Sequence, residues 1–191
     1  MAVATADKDF AAGRVDVGNA LKVGAVGGVV AAIVMAMYAM IAGATYIGSG
    51  FFTPLYHIAS AFIDPKPMMT SMQHAMEGQN FYFTFGPAVL GMAVHLATGL
   101  VYGVVFALAA RALRLSGGAA VVAGAVFGPL VLAFSSFAGL PVAASLFGGG
   151  DPISDMPKMV GWGTFTIEHV MFGLVVGLWW LKGGAGSLRQ P

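Results

Sequence analysis

Apolar positions along this chain fall into four long, nearly unbroken runs, at about 22–47, 82–110, 118–146 and 160–181. A bilayer core needs about 20 apolar residues in helix, so each run is long enough to cross. Lys22 opens the first, Arg111 and Arg114 close the second, Ser116-Gly117-Gly118 precedes the third and Lys182 closes the fourth. Only helices and closed barrels satisfy their backbone groups inside lipid, and runs without period-two alternation predict helices. The expected fold is an all-α membrane protein with four transmembrane helices arranged as two pseudo-repeated hairpins. A segment 1–21 precedes a single membrane domain, 22–182, and a tail 183–191 follows it.

The pseudo-repeat rests on two matches. Gly24-Ala25-Val26-Gly27-Gly28 in the first run resembles Gly124-Ala125-Val126-Phe127-Gly128 in the third. The second and fourth runs each carry His-x3-Gly-x3-Gly, as His95, Gly99 and Gly103 and as His169, Gly173 and Gly177. Such a repeat would be parallel, about an axis along the membrane normal. Glycines one and two turns apart make a flat helix face that a neighbouring helix or planar ligand can approach closely. Gly24, Gly28, Gly99, Gly103, Gly124, Gly128, Gly173 and Gly177 are therefore expected helix-packing positions.

The hairpins differ in their outer loops. Within 48–81, Phe51, Leu55, Ile58, Ala59 and Phe62 fall on one helical face, and Thr53, His57, Ser60 and Asp64 on the other. That pattern predicts an amphipathic interfacial or re-entrant helix on the outer end of the bundle. Pro65-Lys66-Pro67 breaks it, and a second short helix through Met68–Met76 ends at Gly78. The other loop, about 147–159, is short and Gly-rich.

Composition narrows the class. Of 191 residues, 58% are hydrophobic and 9% charged, and mean hydropathy is +0.84. Soluble domains carry about 25% charged residues, so a water-facing surface cannot be built here. A net charge of +1 gives no argument for nucleic acid. The expected partners are the lipid bilayer and other membrane subunits or a second copy of the chain. With no cysteine, disulfides, thiolate metal sites, iron–sulfur clusters and covalent haem attachment are excluded. Residues 1–20 have no apolar core, so they do not read as a signal peptide. Basic residues favour the cytoplasmic side. With both termini inside, Lys8, Arg14, Lys22, Arg111, Arg114, Lys182 and Arg189 are cytoplasmic and Lys66 and Lys158 are outside. The expected location is a bacterial inner membrane, multi-pass, N-in and C-in.

Ionisable side chains within spans are costly and mark functional sites by default. His95 and His169 lie roughly 24 and 20 Å from the inner boundary at 1.5 Å per residue, which places them at similar depth. Facing each other they could ligate a b-type haem; as structural groups they would donate hydrogen bonds across a helix interface. Glu168 breaks the repeat, since Val94 stands at the corresponding place. A carboxylate there must be protonated, paired or wet, or must snorkel to the interface. His57, Lys158 or His95 could reach it, and His57 with Glu168 could serve as metal ligands or a proton relay at the outer mouth. Met68, Met72 and Met76 form a stripe that suits an apolar face better than copper, because His74 points away from it. Pro87, Gly128-Pro129 and Gly139-Leu140-Pro141 interrupt spans, as helices around transporter sites do. Trp179-Trp180 and the aromatics at 81–85 are expected as interfacial belt anchors. No Walker, dinucleotide-binding, nucleophile-elbow or HExxH motif is present.

The Gly-rich first and third runs, Phe137-Ala138-Gly139-Leu140-Pro141 and the closing His-x3-Gly-x3-Gly resemble small four-span bacterial inner-membrane proteins of the YagU type. The long outer loop departs from that pattern. The resemblance implies four-span topology and a link to acid stress, and it carries over no catalytic residue. Together these features predict a non-enzymatic accessory or stabilising subunit, or a homo-oligomer, with glycine faces occupied by partner helices. The alternatives are a haem- or metal-binding redox subunit using His95 and His169, and a proton or solute pathway gated by Glu168.

Overall fold

The computed structural model describes residues 2–183, with side chains from residue 17 onward. The side chains of Lys8 and Arg14, and the expected tail beyond Gly183 with Arg189, lie outside the described residues. Among the described residues there is no strand. The long helices are α1 (Ala2–Ala44), α4 (Phe85–Ala112), α5 (Gly117–Phe134) and α9 (Trp162–Gly183). Between the first two spans the chain folds as α2 (Thr53–Ala59) and α3 (Lys66–Met76), and between the last two as α7 (Gly150–Ser154) and α8 (Met156–Val160). Four stretches are long and apolar enough to cross a membrane: Val17–Ala44, Phe85–Ala112, Gly117–Phe147 and Trp162–Gly183.

The third span is not one uniform helix. α5 passes into a π-helical turn at Ser135–Gly139, and α6 (Leu140–Phe147) continues from it. Pro141 stands in the first turn of α6, where its missing N–H cannot bond the Phe137 carbonyl four residues back. A widened turn absorbs that loss. Pro129 sits inside α5 without ending it.

Two glycine contacts build the hairpins. A methyl group on Gly28 of α1 would lie 2.9 Å from the Gly103 Cα and closer still to the Gly99 carbonyl oxygen. A methyl group on Gly124 of α5 would lie 3.0 Å from the Gly177 Cα and overlap the Gly173 carbonyl oxygen. Bare backbone therefore meets bare backbone in both pairs, the closest approach helices can make. These faces, expected to receive partner helices, are filled by the chain itself. The small residues of one helix match those of its own hairpin mate, so the support they gave to a subunit role is gone.

α1 lies between α4 and α9, and α5 packs on α9. α4 and α5 are consecutive, but they diverge from the turn at 113–116 and touch little. At the end of the bundle that holds the 113–116 turn, Ala20, Ala31, Phe106, Ala107, Ala110, Ala120, Phe172, Val176 and Trp180 form the core. Trp180 is no belt anchor: it is 1% exposed, and its Nε1–H donates to the Leu115 carbonyl at 2.9 Å. An internal acceptor takes the place of interfacial water. At the opposite end, α2 is buried on both faces. Leu55 and Ala59 are buried on one side and Thr53, His57 and Ser60 on the other, so of the expected polar face only Asp64, beyond the helix, is exposed. Local acceptors make this possible: Thr53 Oγ1 donates to the Ser49 carbonyl and Ser60 Oγ to the His57 carbonyl, both at 2.6 Å. The methionine stripe turns inward at one end, with Met68 buried and Met76 79% exposed.

Candidate functional site

The divergence of α4 from the third span leaves a cavity of about 390 Å³ between the four spans, roofed by α2 and the loop of α7 and α8. Its wall is mostly apolar. Ala32 and Ala36 come from α1, Gly99 and Tyr102 from α4, and Phe165 and Phe172 from α9. Into it the fold brings four of the singled-out residues, His57, His95, Glu168 and His169.

Each histidine has one ring nitrogen committed. A carbonyl oxygen only accepts, so the nitrogen facing it carries the proton. His57 Nε2–H donates to the Pro152 carbonyl at 2.5 Å and ties α2 to α7. Burial holds His57 below its ordinary 6.5, and the Pro152 carbonyl opposes that more weakly. His95 Nε2–H donates to the Ala32 carbonyl of α1 at 2.9 Å. His169 Nδ1–H turns back to the Phe165 carbonyl of its own helix at 2.7 Å, with the ring edge-on to Phe165. The expected cross-helix bond is therefore made by His95 and not by His169. A residue one turn back on the same helix offers His169 a nearer acceptor. His95 and His169 lie within electrostatic reach of one another.

Glu168 sits six residues into α9, 4% exposed, and its Oε1 has no hydrogen-bond partner. It does not snorkel to the interface. Lys158, expected as a possible partner, bonds Asp155 at 2.7 Å instead. That exposed pair is local and spares the ammonium from burial; the Asp155 carboxylate holds Lys158 above the usual range. His57 and His95 are committed as above. Among the described residues no three His, Cys, Asp or Glu side chains are arranged to hold a metal ion; His57 and Glu168 line the same cavity. His74, off the methionine stripe, stacks on Tyr82 and bonds Gln79.

One group of residues was not singled out from sequence. Tyr38 of α1 lies within electrostatic reach of Glu168. Its hydroxyl is 2.9 Å from that of Tyr46, which is 3.1 Å from Thr164 Oγ1, one turn before Glu168. Tyr46 is exposed, so these hydroxyls link an exposed tyrosine to the turn of α9 that precedes Glu168. A tyrosine hydroxyl inside an apolar run was the available signal, since lipid forces it to find a partner. No protein-family model, no curated protein and no solved structure matches the chain.

Proposed function

We propose that this protein is a non-enzymatic, multi-pass membrane protein that takes a small molecule into the cavity between its spans, with Glu168 as the polar anchor of the pathway. One observation carries the reading: the cavity of about 390 Å³ and the unpartnered Glu168 carboxylate occupy the same place. Small-molecule sites are concave, about 300–1,000 Å³, apolar, and furnished with a few polar groups. An unpaired carboxylate among apolar walls costs stability that folding alone does not repay. The distribution of basic residues and the resemblance to YagU-type proteins support a bacterial inner membrane with both termini inside, which puts the cavity in the outer half.

The test is a thermal melt of the detergent-purified chain with and without adamantan-1-ol, a compact apolar cage with one hydroxyl. At a hundredfold excess over Kd a ligand stabilises by about 2.7 kcal/mol. The rise is expected to saturate and to vanish in Ala39→Phe, which fills part of the wall. No rise, or an equal rise in Ala39→Phe, defeats the reading.

A second reading has its own support. With Nε2–H of His95 and Nδ1–H of His169 donated to carbonyls, His95 Nδ1 and His169 Nε2 keep free lone pairs at the same cavity. Metal-ligating histidines commonly have their other nitrogen fixed in this way. A b-type haem between them would give a Soret band and sharp reduced α and β bands, lost in His95→Ala and in His169→Ala. A featureless spectrum without stoichiometric metal ends this alternative.

A further inference from the structure

Resting on the cavity reading, we propose that the occupant is a lipophilic amine, a compact apolar body with one ammonium group that pairs with the Glu168 carboxylate. Among the described residues lining the cavity, Glu168 is the one acidic group, and no Lys or Arg lines it. Its Oε1 is buried and unpartnered. The rest of the polar wall points to the same ligand. The N–H groups that fix His57, His95 and His169 are donated to carbonyls, and the Thr53 hydroxyl donates to Ser49. What remains toward the cavity is the Glu168 carboxylate and the histidines' lone pairs, which are acceptors, with hydroxyls of Ser49, Thr98, Tyr102 and Ser135, which can accept as well as donate. An ammonium group brings two or three N–H donors and a positive charge, which match that set. A carboxylate or phosphate ligand would meet acceptors and like charge; an alcohol could satisfy one acceptor only.

The remaining wall fits the apolar body. Met35, Ala36, Leu140, Phe165 and Phe172 supply an apolar surface. The seam between α4 and the third span, where contacts are few, is bridged by Tyr102 and Ser135 with their hydroxyls 3.2 Å apart. A molecule already dissolved in the bilayer can enter there without crossing water. The titratable groups around Glu168 are His169 on α9, His95 on α4, His57 on α2 and Tyr38 on α1. None offers a fixed positive charge to hold the carboxylate in place of a ligand.

The experiment is calorimetric titration of the full chain in zwitterionic phosphatidylcholine nanodiscs with 1-aminoadamantane and with adamantan-1-ol, which share one apolar cage. The amine is expected to bind at least about tenfold more tightly than the alcohol. Glu168→Gln should weaken the amine by at least about tenfold and leave the alcohol within about threefold. Equal affinities in the wild type overturn the proposal and leave the cavity reading standing. An amine affinity unchanged in Glu168→Gln overturns it as well. Binding of neither molecule overturns both readings. Should Glu168→Gln fail to fold, the wild-type comparison decides alone, with Ala39→Phe locating the binding.

Discussion

At the scale of single residues, Gly103 and Gly86 stand on the same helix under opposite constraints. A Cβ at Gly103 would lie 2.7 Å from the Gly28 nitrogen, whereas one at Gly86 meets nothing within 4 Å. Gly103→Ala should therefore lower the melting temperature, with overpacking costing about 1–3 kcal/mol. Gly86→Ala should stay within about 0.5 kcal/mol of the wild type, because its methyl group enters open space while the following Pro87 offsets the gain in helix propensity. Similar shifts for the two, from melts in one detergent, would show that the glycine contact does not hold the hairpin. The spacing of Gly99 and Gly103 behind His95 was legible as a packing face. That the packing partner is Gly28 of the same chain was not, because spacing describes one surface and not its mate. His57 gives a pH dependence. Buried and held below 6.5, it is neutral in the folded protein, and the unfolded chain takes up a proton first. Its contribution is present above about pH 6.5 and is lost as pH falls below that. Protection of the amides of α2 and α7, taken relative to their intrinsic exchange rates at each pH, should fall between about pH 7 and 5. His57→Gln keeps an N–H donor for Pro152 but cannot titrate, so that slope should flatten; an unchanged slope would assign it to another group.

At the scale of elements, the four spans were legible because lipid demands continuous apolar length, and the ends agree within a few residues: 82–110 against Phe85–Ala112, and 160–181 against Trp162–Gly183. The loop helices were legible as helices but not in their setting. Periodicity separated Leu55 and Ala59 from Thr53 and His57, yet it carried no information about what covers each face. Trp180 shows the same limit, since a tryptophan near a span end reads as an interfacial anchor until its N–H finds an internal carbonyl. Trp180→Phe keeps most of the buried ring but leaves the Leu115 carbonyl without that donor, at an expected cost of about 1–3 kcal/mol. Trp179→Phe, at the half-buried neighbour, should cost less. Chemical denaturation of both variants ranks them, and the reverse order would place the anchoring role at Trp179.

At the scale of the whole molecule, the meeting of His95, Glu168 and His169 depended on the rotation of each helix about its axis, which no single run encodes. The structure settles it through contacts between hairpins, such as Tyr46 with Thr164 and the Trp179 ring over Gly27. The π turn at Ser135–Gly139 has a part in this, because Ser135 and Gly139 both line the cavity. Removing its cause with Pro141→Ala should let the third span continue as regular α-helix. The wall would rotate, stability would rise, and affinity for adamantan-1-ol would fall. Stability and affinity moving together would disconnect the turn from the site. A chain selected only to fold would have little reason to keep an irregular turn in the wall of an internal void. Libraries screened blindly for heat resistance should therefore accumulate changes near 135–141 and at Glu168, and the most durable survivors should be the ones that no longer recognise anything.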